Sequence, residues 1–205
     1  MARALSLGRL SAALGRRLRL KYLQLRWRRA RLGSRCDIRS GFHLVLGEAA
    51  QLSIGPRCVL DRGMTIECFG TLSIGREVIF GHHCTLAARE SLTIGDDSLL
   101  AEMVSIRDHD HRFERLDVPI REQGAASAPV VIGRNVWIGA KATVVKGVTI
   151  GDNAIIGANA VVTRDIPANA IAVGIPARVI KFRDAQVAPS PAEPPAEPNT
   201  SQPES

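Results

Sequence analysis

Aliphatic residues recur at every sixth position across the second half of the chain: Ile132, Ile138, Val144, Ile150, Ile156 and Val162. Glycine follows four of them (Gly133, Gly139, Gly151, Gly157), and four places after the first five stand Val136, Ala142, Val148, Ala154 and Ala160. An amphipathic helix repeats its apolar positions near 3.6 residues and a hairpin sheet near two, so neither sustains a period of six. A triangular prism of stacked coils does. There each hexapeptide makes one flat wall: the aliphatic residue points inward, the small residue fits near a corner, and glycine permits the unusual φ of the turn.

Three such hexapeptides close one coil, so the pattern predicts an all-β chain built as a parallel β-helix. Shorter runs continue the rule upstream: Ile54, Leu60, Ile66; then Ile74, Phe80, Leu86; then Ile94, Leu100, Ile106. These runs begin twenty residues apart. Eighteen make a coil, which leaves a two-residue bulge at one corner. Coils of this kind are expected to be left-handed, against the usual right-handed crossover preference. The prism is expected over residues 37–183, roughly seven coils, each burying its core by stacking on its neighbours. Residues 184–205, rich in Pro, Ala, Ser and Glu, are expected to form a disordered tail.

Charge separates the first 36 residues from the rest. They hold eleven Arg or Lys and no acid, whereas the whole chain is only +7. Leu7, Leu10, Leu14, Leu18, Tyr22 and Leu25 recur there at three or four residues, which predicts a basic amphipathic helix. Two readings follow: residues 1–31 touch an anionic membrane surface, or the helix caps the open end of the prism. A basic segment without a groove-reading module does not predict a nucleic-acid partner. The arm lacks the uninterrupted apolar run that spans a bilayer, and it lacks a secretory cleavage pattern. Cys36, Cys58, Cys68 and Cys84 show no CxxC spacing, and two of them occupy the small corner position. They read as core filler in a cytoplasmic protein, at most peripheral on the inner face of a membrane.

The ladder stops after Ile106 and resumes at Ile132. A loop therefore leaves the prism through Arg107-Asp108-His109-Asp110-His111-Arg112-Phe113 and returns by Pro129. Long excursions inside compact domains are usually functional. This one opens with two of the five histidines, each beside an aspartate. Imidazole, with an ordinary pKa of about 6.5, suits the removal of a hydroxyl proton near neutral pH.

Residues 130–181, with Asn-Val-Trp-Ile-Gly at 135–139 and Gly-Ile-Pro-Ala-Arg-Val at 174–179, resemble the hexapeptide acyltransferases. The likeness is to the maltose, galactoside and xenobiotic acetyltransferase group and its relatives that O-acetylate bacterial surface glycans. The resemblance runs from about Ile54 to Phe182. It implies direct acetyl transfer from acetyl-CoA to a sugar hydroxyl, with a loop histidine as general base. The family histidine falls five residues after the last rung, which gives His111, with His109 as the second candidate; Asp108 or Asp110 would orient the ring. The same resemblance places CoA in a groove between neighbouring prisms of a homotrimer. There it would touch Gly139, Ala140, Ala158, Thr163, Arg164, Arg178 and Lys181, with the three cations facing the phosphates. A backbone amide at Gly139 or Ala140 would face the developing oxyanion. Trp137 would pack beside the groove.

Where the sugar enzymes of the group carry asparagine and aspartate, this chain offers Gly81 and Arg89, with His82, His83 and Glu90 nearby. Arg89, Glu90 and His83 are therefore the candidate acceptor contacts. The basic arm favours a glycan or lipid-linked precursor made at the membrane. Two other classes compete: a γ-carbonic-anhydrase-like metalloenzyme using His82, His83, His109 and His111, and a non-catalytic scaffold. No metal is expected under the acyltransferase reading.

Overall fold

The structure, a computed structural model, describes Gly15, Leu18, residues 20–25 and residues 30–183. The tail expected over 184–205 and most of the basic arm lie outside the described residues.

Three parallel sheets form the walls of one prism. The first stacks Ala30–Leu32, Gln51–Ile54, Thr71–Ile74, Ser91–Ile94, Val130–Ile132 and Thr149–Ile150. The second stacks Asp37–Ile38, Val59–Leu60, Ile79–Phe80, Leu99–Leu100, Trp137–Ile138, Ile155–Ile156 and Ala170–Val173, and closes with Arg178–Phe182 running antiparallel. The third stacks His43–Leu46, Thr65–Cys68, Thr85–Ala88, Ser105–Arg107, Thr143–Val144 and Val161–Val162. Stacking starts at Ala30, which pairs with Leu52, so the first wall takes in residues whose charge places them in the arm.

The ladder residues from Ile54 to Ile106 and from Ile132 to Val162 are all buried, and so are the corner residues Cys58, Cys84, Val136, Ala142, Val148, Ala154 and Ala160. One coil's neighbour is the next coil, so the core is a column of like residues in register: Leu52, Leu72 and Leu92, or Leu60, Phe80 and Leu100. The four cysteines are free, buried thiols. Burial pushes Cys84 up to about 11, and its thiol donates to the Ala101 carbonyl at 3.0 Å.

The glycines after the rungs serve a purpose the period alone does not reveal. Gly133, Gly139, Gly151 and Gly157 do not take a left-handed φ; that conformation falls to corner residues such as Asn135, Lys141, Asn153 and Asn159. The glycines permit close approach instead. A Cβ on Gly139 would stand 2.5 Å from the Ala158 nitrogen of the next coil. Asparagine suits the left-handed corner because its short amide tolerates that region and bonds locally: Asn135 Nδ2 donates to Asn153 Oδ1 at 2.7 Å, and Asn153 Nδ2 to Asn169 Oδ1 at 3.1 Å.

The register dates the insertions. Leu52, Leu72 and Leu92 are twenty apart, while Val131 to Thr149 is eighteen. The extra two residues sit at the corner between the third and first walls, at Phe69-Gly70 and Arg89-Glu90, between strands ending at Cys68 and Ala88 and strands starting at Thr71 and Ser91. From Leu92 the next coil partner is Val130, so the whole excursion belongs to one coil and leaves the stack unbroken.

Phe80 is the largest fully buried side chain among the described residues. Truncating it, Phe80→Ala, is expected to lower unfolding free energy by about 3–5 kcal/mol, read from urea melts followed by circular dichroism.

Candidate active site

The site begins with a hydrogen-bonding problem at the corner between the third and first walls. Each corner N–H donates to a carbonyl one coil further on: Phe69 and Gly70 to Ala88, and Thr71 to Glu90. One coil later the corresponding donors are Arg89, Glu90 and Ser91, and here the chain departs into its excursion. Asp108 supplies the missing acceptors. Its carboxylate accepts from Arg89 N at 2.8 and 2.9 Å, from Glu90 N at 2.7 Å and from Ser91 N at 2.8 Å. It is completely buried. A buried carboxylate is tolerated only when its lone pairs are satisfied, as these are.

One more contact reaches the same carboxylate. His109 Nδ1 lies 2.9 Å from Asp108 Oδ1, and the imidazole is 21% exposed. A carboxylate can only accept, so the proton of this bond sits on Nδ1, and the neutral form of the ring then has its lone pair on Nε2. The ring is therefore fixed in direction and tautomer while part of it meets solvent. His111, two residues on, is exposed and holds no comparable partner.

The excursion is an antiparallel hairpin, His109–His111 against Ala125–Ser127. Two contacts anchor its base: Ala128 N donates to the Asp108 carbonyl at 2.8 Å, and Lys146 Nζ meets Asp110 Oδ2 at 2.6 Å. Gln123 gathers its tip, accepting from Arg115 N and donating to the carbonyls of Arg115 and Val118. The two aspartates thus have separate tasks: Asp108 holds the ring and Asp110 pins the hairpin to the next coil.

The other sequence-derived candidates fall on two corners. Arg89 and Glu90 flank the Asp108 nest, with exposed side chains, and Thr163 and Arg164 follow Val162 at that same corner. Gly139, Ala140 and Ala158 stack at the corner between the second and third walls, where the turn from Gly174 to Ala177 closes the column by hydrogen bonds to Val161. Arg178 leaves directly from that turn, and Lys181 follows on the final strand. Arg164, Arg178 and Lys181 are exposed, and none is ion-paired with a carboxylate. Gly139 N–H is already engaged with the Ile156 carbonyl at 2.7 Å, which removes it as an oxyanion donor; Ala140 N–H is not drawn into the ladder. Trp137 projects from the outer face of the second wall, half exposed between Leu99 and Ile155.

His83 turns at the corner of the second and third walls with its ring nearly perpendicular to that of His82, the centroids 5.5 Å apart. The chain does not bring this pair to the corner that carries His109. Among the described residues no group of three or more His, Cys, Asp or Glu is gathered as a metal site.

The family model for bacterial transferase hexapeptide, six repeats, matches residues 129–164. A probable acetyltransferase of Mycobacterium tuberculosis is 36% identical over 137 residues, 66% of this chain, and the chain spans only 46% of that protein's length. A protein of Escherichia coli named for O-acetyl transfer in lipopolysaccharide biosynthesis, WbbJ, is 37% identical over 139 residues, covering 63% of this chain and 71% of that one. In fold, the chain superposes on a mutant of AntD, an N-acyltransferase from Bacillus cereus solved with dTDP and coenzyme A. The TM-score is 0.65 at 20% identity, over 78% of this chain and 89% of that one.

Replacing Asp108 by alanine leaves three backbone N–H groups without an acceptor. Asp108→Ala is expected to cost about 3 kcal/mol or more of stability, and to raise amide exchange at Arg89, Glu90 and Ser91 selectively, read by hydrogen-exchange mass spectrometry.

Proposed function

The chain belongs to the hexapeptide-repeat acetyltransferases, and on that premise we propose that it moves an acetyl group from acetyl-CoA to a hydroxyl of a sugar or glycan, with His109 as general base. The observation that carries this reading is the Asp108–His109 pair: a fixed imidazole with a free Nε2, held by a buried carboxylate at the mouth of the excursion. Counting from the last rung favours His111; the contact to Asp108 favours His109, and we assign the base there.

Acetyl-CoA supplies an activated thioester. His109 Nε2 takes the proton from the acceptor hydroxyl as its oxygen attacks the acyl carbon, and Asp108 balances the charge of the resulting imidazolium. The same ring then returns the proton to the departing sulfur. Ala140 N–H, which the ladder leaves unused, would face the charge that develops on the carbonyl oxygen. Arg164, Arg178 and Lys181 would meet the donor's phosphates, and the small residues at Gly139, Ala140 and Ala158 would let its pantetheine arm lie close to the coils. Arg89 and Glu90, whose backbone N–H groups bond Asp108 next to the base, are candidates to position the acceptor. The WbbJ relative supports a surface glycan or its lipid-linked precursor as acceptor. Four free thiols fit a cytoplasmic location.

Two corners of the prism share the proposed donor residues, and the outer face of the third wall separates them. A wall of four extended residues is about 13 Å wide. The two edges of one prism thus stand about a wall's width apart. A second copy that sets its Ala140–Ala158 edge against the first copy's His109–Arg164 edge would make the cleft, and three such contacts close a ring.

His109→Ala is expected to lower kcat for acetyl transfer by at least about 100-fold, whereas His111→Ala stays within a few-fold of the parent. Thiol release from acetyl-CoA with a panel of sugars reads both, and a severe loss in His111→Ala with full activity in His109→Ala would reverse the assignment. Light scattering is expected to give a trimer. Co-expression of His109→Ala with Ala140→Trp, each inactive alone, is expected to restore part of the turnover, because some shared clefts then receive two intact edges. Complete inactivity of the mixed assembly would place the whole site within one chain.

A further inference from the structure

We propose that the N-terminal helix is a docking element for the surface of an anionic lipid bilayer. The helix has two apolar faces with different fates. Leu23 is 8% exposed and joins the prism core, with Leu20 packed against the same core. Gln24 Nε2 donates to the Leu32 carbonyl at 3.1 Å and ties the helix to the first strand. Leu18, Tyr22 and Leu25 are 59%, 62% and 76% exposed. At 100° per residue these three form one narrow stripe, about 160° around the axis from Leu20 and Leu23. One face thus caps the prism, and the opposite face offers two leucines and a tyrosine to solvent.

Charge identifies what covers that stripe. The first 36 residues contain eleven basic and no acidic side chains, and the remaining 169 hold sixteen basic and twenty acidic. Arg16, Arg17, Arg19, Lys21 and Arg26 alternate with the stripe in sequence. An exposed apolar stripe with exposed Lys21 beside it, in a segment this basic in sequence, matches an anionic interface, where leucine and tyrosine enter the headgroup boundary and cations meet phosphate. Nucleic acid would satisfy the cations but give Leu18 and Leu25 nothing to enter. No helix among the described residues is long and apolar enough to cross a membrane, so the contact proposed is peripheral. Because the helix is seated on the prism end through Leu20 and Leu23, docking would hold the whole rigid stack at the lipid surface. The proposal stands apart from the catalytic reading, since none of these residues belongs to the proposed active site.

The full chain is tested by sedimentation with two sets of vesicles, phosphatidylcholine alone and phosphatidylcholine with phosphatidylglycerol. Binding to the anionic vesicles only, weakening as salt rises from about 0.1 to 0.5 M, is the expected result. The double variant Leu18→Ser/Leu25→Ser keeps every charge and alters only exposed side chains. It is expected to bind the anionic vesicles at least about tenfold more weakly, with an unchanged melting temperature and unchanged acetyl transfer to a soluble sugar. Three results would overturn the proposal: no vesicle binding, equal binding by the double variant, or tighter binding to DNA than to anionic vesicles. Loss of acetyl transfer in His109→Ala or its absence in the parent would bear on the catalytic reading alone.

Discussion

In a stack of parallel coils the backbone N–H groups find their acceptors in neighbouring coils, and those of Phe69, Gly70 and Thr71 at the corner between the third and first walls find them one coil ahead. That single requirement shapes the rest of this molecule. It keeps the walls in register and confines differences in coil length to the corners, because a wall shifted by one residue would turn its apolar positions outward. It favours glycine after many of the rungs, where the coils approach until a Cβ, as on Gly139, would touch backbone. It also makes any departure of the chain expensive, since donors left behind in the preceding coil lose their partners. The excursion after Arg107 is the largest such departure, and Asp108 is the side chain that replaces the lost carbonyls.

Chemistry then follows from the repair. The carboxylate recruited to hold three backbone N–H groups is buried, and the residue beside it is the first of the outgoing hairpin. His109 therefore meets a fixed acceptor at Nδ1 as a consequence of where the chain leaves the prism. A positioned imidazole arises here without a dedicated second wall, and the hairpin's own anchor, Lys146 on Asp110, keeps the second aspartate away from the ring.

The walls were legible because a period of six leaves few alternatives, and the buried column from Ile54 to Val162 matches the ladder residue by residue. Three things were not legible, each for a physical reason. The strand Ala30–Leu32 lies among arginines, and its alternating burial is too short to show against the charge of the arm. The function of the rung glycines depends on the distance between coils, which no one coil encodes. The choice between His109 and His111 depends on which aspartate faces inward, and residues one apart in Asp108-His109-Asp110-His111 look alike until the vacant N–H groups of Arg89, Glu90 and Ser91 are in place. Counting along the chain pointed to His111, whereas the contact to Asp108 is the ground on which we propose His109. The twenty-residue spacing did contain the clue, since the two-residue bulge it implies is the corner whose donors Asp108 satisfies.

Carboxylate repair by itself does not make a site. Asp96 Oδ1 accepts from Arg76 N at 2.9 Å, Asp152 Oδ1 from Arg134 N at 2.9 Å, and Asp165 Oδ1 from Thr149 N at 2.7 Å, the last where the ladder shortens near its end. Each of these accepts one backbone donor at the solvent edge, so water could take its place at little expense. Asp108 differs in degree and in company: it accepts three donors, it is sealed from water, and its remaining contact is a titratable ring that still reaches solvent. Of the aspartates that patch this prism, only the one at the excursion has a task that water could not perform. The same lattice that makes most of its corners interchangeable singles out that corner, because there the repair and the histidine fall on consecutive residues.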